Sequence, residues 1–397
     1  MNYRAYLVIV MISAIFTYWH VCNDPGFGVG SGGDYGSEEG FEVEVWGGKM
    51  YVGMEGDNSI GAMLWRSKEG ITMPISNTHF EEVIGDNGIP FGSLGITSTY
   101  ALDHVDSVKG YGGYLYVSTA SQGTLQSNAA GTRIFRSSSG ADGSWEQVVP
   151  AGFGLVGSNK VINFKDMQEY QGQLCGGTYD DGYGSEVMCT GNGTTWVQKN
   201  ISGFGAIYYN NRSVKTWSGH VYGGRLYFGI QNLGAYRTVP EDDVAMLYYT
   251  SAITPTTPTW TQAYVGGAGS IRVDILGDIG GSMYIATKTP VSGTMILKSE
   301  SGTGSWVQTG GYGLGDANNT GTVVDGAVVK GDWLYVALSN SVSGVQIWRT
   351  NGSIWQLVDK GLGDKGNVHA QLFLFNDELY AWVTNYEVGQ KVIRIGF

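Results

Sequence analysis

Cysteine and histidine are scarce: the 397 residues hold three and five of them, none beside another at the spacing of zinc ligands, which excludes a fold built on such a centre. Charge is thin as well, at 15 % of residues, and the surplus is acidic, with 35 Asp and Glu against 23 Lys and Arg for a net −12. A chain without a basic surface holds neither a phosphate backbone nor anionic lipid, so no nucleic-acid partner is expected, and no membrane partner beyond an N-terminal anchor. No long amphipathic helical pattern occurs, and only one apolar run stands out. It extends from Ala5 to about Thr17 behind Met1-Asn2-Tyr3-Arg4, too short for a helical span of roughly 20 residues and patterned like an export signal. Residues 1–17 are therefore expected to be a signal peptide or hydrophobic N-terminal segment, with any cleavage before Tyr18. Residues 18–397 are expected to form a single domain, secreted or at the cell surface.

What the chain does hold in quantity is glycine, 64 residues, and aromatics, 13 %. That balance suits short strands joined by tight turns. One phrase recurs seven times, a small turn followed by a strand centred on Tyr51, Tyr116, Cys175, Tyr227, Tyr284, Tyr335 and Tyr380, at intervals of 65, 59, 52, 57, 51 and 45 residues. A second strand follows each copy and ends at Ser67, Ser138, Thr190, Ser251, Ser299 and Thr350, or at the C-terminus. A third opens on Trp145, Trp196, Trp260, Trp306 or Trp355, with Phe80 in that place in the first repeat. A Gly-x-Gly loop and a less regular inner strand complete each unit. Four-stranded units that are apolar on both faces can cover themselves only against their neighbours, so the expected fold is all-β, a seven-bladed β-propeller of four-stranded antiparallel blades. A linear β-solenoid is the weaker alternative, because its repeats are usually shorter than about 30 residues.

Aligning the repeats predicts three further features. The last repeat stops one strand short at Phe397, while Trp19 precedes Gly26-Phe27-Gly28 by the same seven residues that separate Trp145 from Gly152. Tyr18 to Cys22 is thus expected to pair with Lys391 to Ile395 and complete the last blade. Each strand Tyr stands opposite a cation, in the pairs Tyr51 and Arg66, Tyr116 and Arg136, Tyr284 and Lys298, Tyr335 and Arg349, Tyr380 and Arg394. These pairs read as cation–π or stacking contacts within a hairpin. In the third repeat both partners change together, to Cys175 and Cys189, which face each other about the turn at Gly182 and are expected to oxidise to a disulfide in an exported chain. Cys22 has no partner that the sequence explains.

The turn Thr190-Gly191-Asn192-Gly193-Thr194-Thr195-Trp196 resembles the Asp-box of the sialidase-like propeller superfamily, which runs Ser/Thr-x-Asp-(x)-Gly-x-Thr-Trp. Ser299 to Trp306, Ser138 to Trp145 and Thr350 to Trp355 are looser versions, and Asn192 and Asn351 stand where the family has Asp. The resemblance is to the blade plan. It implies a fold-stabilising turn and no activity. Sialidases of that superfamily also hold their substrate with three arginines, whereas most arginines here lie in the hairpin pairs, leaving Arg212 and Arg272 near inner-strand starts. Sialidase activity is not expected.

Candidate chemistry lies on inner strands and loops. Asp103, His104, Asp106, Asp274, Asp278, Asp325 and His369 are carboxylates and imidazoles that line the expected channel and would serve a glycosidase or lyase. The loop Glu55-Gly56-Asp57-Asn58 and the turn Asp180-Asp181 offer oxygen ligands for calcium without the spacing of a dedicated calcium loop, and no other cofactor is expected. Sequons at Asn192, Asn200, Asn211, Asn318 and Asn351 would make the chain a glycoprotein in a host that glycosylates. Tyr179, Tyr183, Tyr209, Asn211, Asn319 and Asn367 form the candidate ligand-binding set, since flat aromatics stack on sugars and amides bond hydroxyls. The expected function is a non-catalytic extracellular propeller that binds glycan or protein partners through loops on one face. The alternatives are a carbohydrate-active enzyme other than a sialidase, and a structural subunit of an extracellular assembly.

Overall fold

A computed structural model describes residues 18–28, 37–56, 61–85, 102, 104–120, 131–154, 161, 163–179, 184–205, 213–233, 244–267, 269–289, 292–323 and 325–397. The chain has the all-β architecture of a propeller. After β1 (Tyr18–Val21), strands follow in groups of four that pair antiparallel in chain order. The first group is β2 (Ser37–Trp46), β3 (Lys49–Gly56), β4 (Met63–Ser67) and β5 (Phe80–Ile84). Next come β6 (His104–Tyr111), β7 (Tyr114–Ala120), β8 (Arg133–Ser137) and β9 (Glu146–Val149). The third group is β10 (Asn163–Tyr170), β11 (Gln173–Tyr179), β12 (Val187–Thr190) and β13 (Val197–Gln198). The fourth is β14 (Ser213–Tyr222), β15 (Arg225–Leu233), β16 (Met246–Thr250) and β17 (Thr261–Val265). The fifth is β18 (Arg272–Ile279), β19 (Ser282–Lys288), β20 (Met295–Ser299) and β21 (Val307–Gln308). The sixth is β22 (Ala327–Lys330), β23 (Trp333–Leu338), β24 (Gln346–Thr350) and β25 (Trp355–Lys360). The last is β26 (Asn367–Phe375), β27 (Glu378–Asn385) and β28 (Lys391–Gly396), and β1 pairs with β28 as its fourth strand. Among the described residues no helix is long and apolar enough to cross a membrane.

The predicted N-terminal pairing is present, with Trp19 opposite Ile395 and Val21 opposite Ile393. Cys22 is fully buried and its amide donates to the Val392 carbonyl at 2.7 Å. Burial pushes its thiol up to about 12, so it stays a protonated core residue.

Apolar clusters lie between successive groups. The one holding Phe27, Val43, Met54, Phe80, Tyr380 and Trp382 joins the last group to the first. There Phe27 stacks on Trp65 with ring centroids 4.4 Å apart, and the Trp382 indole donates to the Gly53 carbonyl at 3.0 Å. A side chain at Gly53 would put its Cβ 2.6 Å from Val105, so glycine is what lets the neighbouring group approach. Phe27 sits at the centre of a Gly-Phe-Gly turn with φ 56°, and Phe153, Phe204, Leu314 and Leu362 repeat that left-handed conformation. A non-glycine residue there carries backbone strain of about 1–2 kcal/mol, offset by burying the ring between neighbours.

The tryptophan that opens each fourth strand has a second role that its position did not reveal. Trp145, Trp260 and Trp306 donate their indole N–H to Val83, Lys199 and Ala263 carbonyls of the preceding group, at 3.0, 2.8 and 2.9 Å. All five Tyr-to-cation registers occur as predicted. The contact differs from the expected cation–π pairing. Arg349 donates to the Tyr335 hydroxyl and lies over Trp333, while Arg136 lies over Tyr114 and Arg394 over Tyr18. Directly opposed side chains stand parallel, so the guanidinium reaches the hydroxyl of its partner or the ring of the next residue.

Cys175 and Cys189 are opposed in register and disulfide-bonded. In the Asp-box-like turn, the Asn192 side-chain oxygen accepts from the amides of Thr194 and Thr195, and Thr190 Oγ1 accepts from Gly193. Asn351 accepts from Ser353 and Ile354 in the same way. An amide oxygen thus does the work of the family's carboxylate.

Candidate functional site

The first strands of the groups line a common channel, with residues of β2, β6, β10, β22 and β26 around one cavity and of β10, β14, β18 and β22 around the next, and their leading ends follow the Gly-x-Gly turns in the chain. Several of these strands carry a bulge, with register shifts at Asp106, at Asp166 and Met167, at Trp217 and at Leu276. A bulge adds residues to one strand and re-aims their side chains, and Asp166, Met167 and Leu276 accordingly line the cavities.

At the mouth, Asp106 is fully buried, ion-paired to Lys165 Nζ at 2.9 Å and bonded by Asn163 Nδ2 at 2.7 Å. Arg272 holds Asp274 through Nε at 2.7 Å and Nη2 at 2.9 Å, and the Thr322 hydroxyl donates to the same carboxylate at 2.7 Å. Buried charges of this kind persist only when paired. Between the two pairs stands Trp217, whose ring centroid lies 4.9 Å from Lys165 Nζ, 4.7 Å from Lys215 Nζ and 4.2 Å from the Arg272 guanidinium carbon. His104 faces Glu55 at 3.2 Å, and His369 bonds Ser339 Oγ at 2.7 Å, edge-on to the half-exposed Tyr386. Burial, then the charges of Lys288 and Arg272, hold the His369 imidazole down at about 4, so it is neutral at pH 7.

Deeper in, a cavity of about 280 Å³ is lined by Glu42, Glu44, Lys109, Asp166, Asp325 and Phe373, among others. Burial and the neighbouring Asp325 and Asp166 push Glu42 well above the usual carboxylate range. Asp166 is pushed up to about 7, first by burial and then by Asp325, against the stabilising hydrogen bonds from Gly219 N and Gln168 Nε2. Asp325 keeps exposed surface on the cavity yet is hemmed in by protein atoms, and the lost solvation raises it too. Asp166 therefore holds a proton at the pH where an acid or base works best.

The structure brings His104, Asp106, Asp274 and His369 to the mouth and puts Asp325 on the cavity. Asp278 lies at the far end of β18, paired with His220 at 2.9 Å. Asp103, Tyr183, Tyr209, Asn211 and Arg212 fall outside the described residues. Tyr179 is half-buried, with Lys215 Nζ 5.1 Å over its ring. Asn319 and Asn367 are fully buried. Their amides donate to the Gly313 and Gly361 carbonyls at 2.7 and 2.8 Å, so they hold the Gly-x-Gly turn. Asp57, Asn58, Asp180 and Asp181 also fall outside, and among the described residues no group of three or more His, Cys, Asp or Glu is placed to hold a metal ion. Lys165, Trp217, Glu42 and Asp166 were missed by sequence reasoning. The signal that points to them is a charged or bulky residue on an inner strand where the period-2 alternation breaks.

No protein-family model matches the chain, and no curated protein does. Solved structures similar to it include a Trypanosoma rangeli sialidase, at 11 % identity and a TM-score of 0.47 over 91 % of this chain and 55 % of that one. A Penicillium chrysogenum alpha-L-arabinanase matches at 12 % and 0.47 over 82 % and 94 %. A Fusarium graminearum alpha-L-arabinofuranosidase matches at 12 % and 0.48 over 96 % and 98 %. The chain spans about half the length of the sialidase it matches. The likeness is one of architecture. The expectation of a non-catalytic binding propeller is corrected on the geometry: the expected ligand amides Asn319 and Asn367 are buried in turns, while the inner strands bring together buried carboxylates that differ in pairing and protonation.

Proposed function

We propose that this chain is a carbohydrate-active enzyme, a glycoside hydrolase other than a sialidase, working between the mouth and the cavity below it in the channel of an exported seven-bladed ring that β1 closes by completing the last blade. The observation that carries the reading is the contrast among carboxylates on the inner strands. Asp106 and Asp274 are each locked against a buried cation, while Asp166, next to Lys165 in sequence, keeps its proton up to about pH 7. Glycosidic cleavage needs that contrast: a protonated carboxyl to protonate the leaving oxygen and an anionic one to stabilise positive charge on the sugar or activate water. Asp166 is assigned the proton-donor role and Asp106 or Asp274 the anionic role. Tyr386, 51 % exposed at the mouth, offers a flat face for a sugar ring. The disulfide and the apolar segment 1–17 fit export.

Release of reducing ends from a panel of neutral and acidic oligosaccharides tests the reading. The exported chain is expected to cleave at least one of them. Asp106→Asn, Asp166→Asn and Asp274→Asn should each lower turnover by about 10²-fold or more with the fold retained by circular dichroism. No cleavage of any member, cleavage that survives all three changes, or an unsaturated product diagnostic of elimination overturns it.

A further inference from the structure

We infer that the cavity beneath the mouth takes a primary ammonium group, carried on a sugar unit with a free amine, and that the carboxyls of Glu42 and Asp325 receive it. The site stands by itself, while the amine-bearing sugar as substrate rests on the enzyme reading above. The cavity of about 280 Å³ has five ionisable side chains on its wall, Glu42, Glu44, Asp166, Asp325 and Lys109. Lys109 Nζ is held 3.5 Å from Glu44 Oε2, and Glu44 Oε1 accepts from Gly110 N at 3.1 Å. Glu42, Asp166 and Asp325 therefore share the wall with a single ammonium that Glu44 already engages. Lys165, which acts on Glu42 from outside the lining, is ion-paired to Asp106 at 2.9 Å. The adjoining cavity of about 210 Å³ shares Asp166 and Asp325, and the ionisable groups it adds are His220 and Asp278, paired at 2.9 Å.

One oxygen indicates what the cavity lacks. Glu42 is 2 % exposed and lines the cavity, and its Oε1 is buried with no hydrogen-bond partner. The hydrogen bond between Glu42 and Asp325 leaves that acceptor unused, and Asp325 stands open on the same wall. A buried acceptor without a donor is costly, and carboxyls gathered out of water ionise only at a cost; an N–H donor that carries positive charge removes both. Without it the carboxyls hold protons instead, as Glu42 and Asp166 do. A neutral hydroxyl supplies the donor and leaves the charge unmet. A divalent metal supplies the charge, but among the described residues no three His, Cys, Asp or Glu are placed to ligate one. An ammonium needs no such shell, because its three N–H groups bond single acceptors. The cavity lies near the lower end of the range for ligand sites, about 300–1,000 Å³, which suits one sugar unit.

Calorimetric titration of the full exported chain at pH 7 with D-glucosamine and D-galactosamine, against D-glucose, D-galactose, N-acetyl-D-glucosamine and calcium chloride, tests it. An amino sugar should bind about tenfold or more tighter than its neutral parent or its N-acetyl form. Its affinity should rise from pH 5 to pH 7, because the cluster gives up protons over that interval while an amine with a pKa of about 8 stays charged. Glu42→Gln and Asp325→Asn, each with its fold checked by circular dichroism, should weaken amino-sugar binding about tenfold and leave neutral sugars unchanged. Glu69→Gln, at a carboxylate 88 % exposed, is the control and should change nothing. Equal binding of amino and neutral sugars, no binding of either amino sugar, amino-sugar binding that survives both changes, or calcium bound in place of the amine overturns the inference. Cleavage is read on the panel above, widened to oligosaccharides with free amines. Amino sugar bound without cleavage of any glycan sinks the hydrolase and keeps the site, whereas cleavage confined to amine-free glycans, with no amino sugar bound, does the opposite.

Discussion

Replacing Asp166 by asparagine should make the protein more stable at neutral pH. Folding moves this carboxyl from 3.8 to about 7, chiefly by burial and by the nearby Asp325. Between those two values the folded chain binds one more proton than the unfolded chain, so stability falls as pH rises. At 1.36 kcal/mol per unit over that interval, the loss is about 4 kcal/mol from pH 4 to pH 7. It is absent below about pH 3.8, where both states are protonated. Asparagine removes the titration and suits the backbone, because Asp166 sits at φ 47°, a region that asparagine tolerates better than most residues. Both carboxylate oxygens accept, one from Gly219 N and one from Gln168 Nε2. The new amide oxygen can keep Gly219, and Gln168 can turn its own amide to receive the new donor. Urea unfolding of wild type and Asp166→Asn at a series of pH values reads the effect. The difference between them should grow by about 4 kcal/mol from pH 4 to pH 7 in favour of the variant. A difference that is flat with pH, or that favours wild type at neutral pH, refutes the account of Asp166 as a proton-holding, strained group.

Three other changes probe the fold. Removing residues 1–28 takes away β1 and Phe27, whose burial alone is worth about 3–5 kcal/mol, so the melting temperature should fall sharply; an unchanged melt means the N-terminal strand closes nothing. The double change Cys175→Ser and Cys189→Ser opens a loop of sequence separation 14 and should cost up to about 3 kcal/mol, with non-reducing peptide maps showing the linked pair in wild type and free thiols refuting it. Trp306→Phe keeps an aromatic side chain, though a smaller one, but leaves the Ala263 carbonyl without its indole donor, and should cost at least about 1–2 kcal/mol by urea titration; no loss would show that the contact between groups carries no weight.

The blades were legible because their information is local and repeated. A Gly turn, a strand centred on Tyr and a cation 14 to 20 residues on fix one hairpin register, and five copies of that pair occur in the predicted alignment. The pairing of Tyr18–Val21 with β28 was legible for a different reason: the interval from Trp19 to Gly26 matched the other repeats, so the missing strand could be located by subtraction. The asparagines after the Gly-x-Gly turns misled because an amide near a loop reads equally as a ligand donor or a cap. Two successive left-handed residues turn the Gly313 and Gly361 carbonyls inward, and buried carbonyls need a donor from the same chain.

The site was less legible because bulges break the rule by which a strand is read. Period-2 alternation assigns Lys165 and Asp166 to opposite faces, yet Lys165 reaches Asp106 at the mouth while Asp166 lines the cavity below. The extra residue at each shift is what makes both faces of the strand available to the channel. These positions also work against stability. Burial raises the proton affinity of Glu42, Asp166 and Asp325, and Asp325 raises that of Glu42 and Asp166 further, a cost that a hydrophobic channel wall of the same shape would not carry. Left-handed φ at Asp166 and Asp325, clustered carboxylates at Glu42, Asp166 and Asp325 and an unmet indole donor at Trp217 fall together on and beside the inner strands, and that coincidence is what singles out the channel as the candidate site.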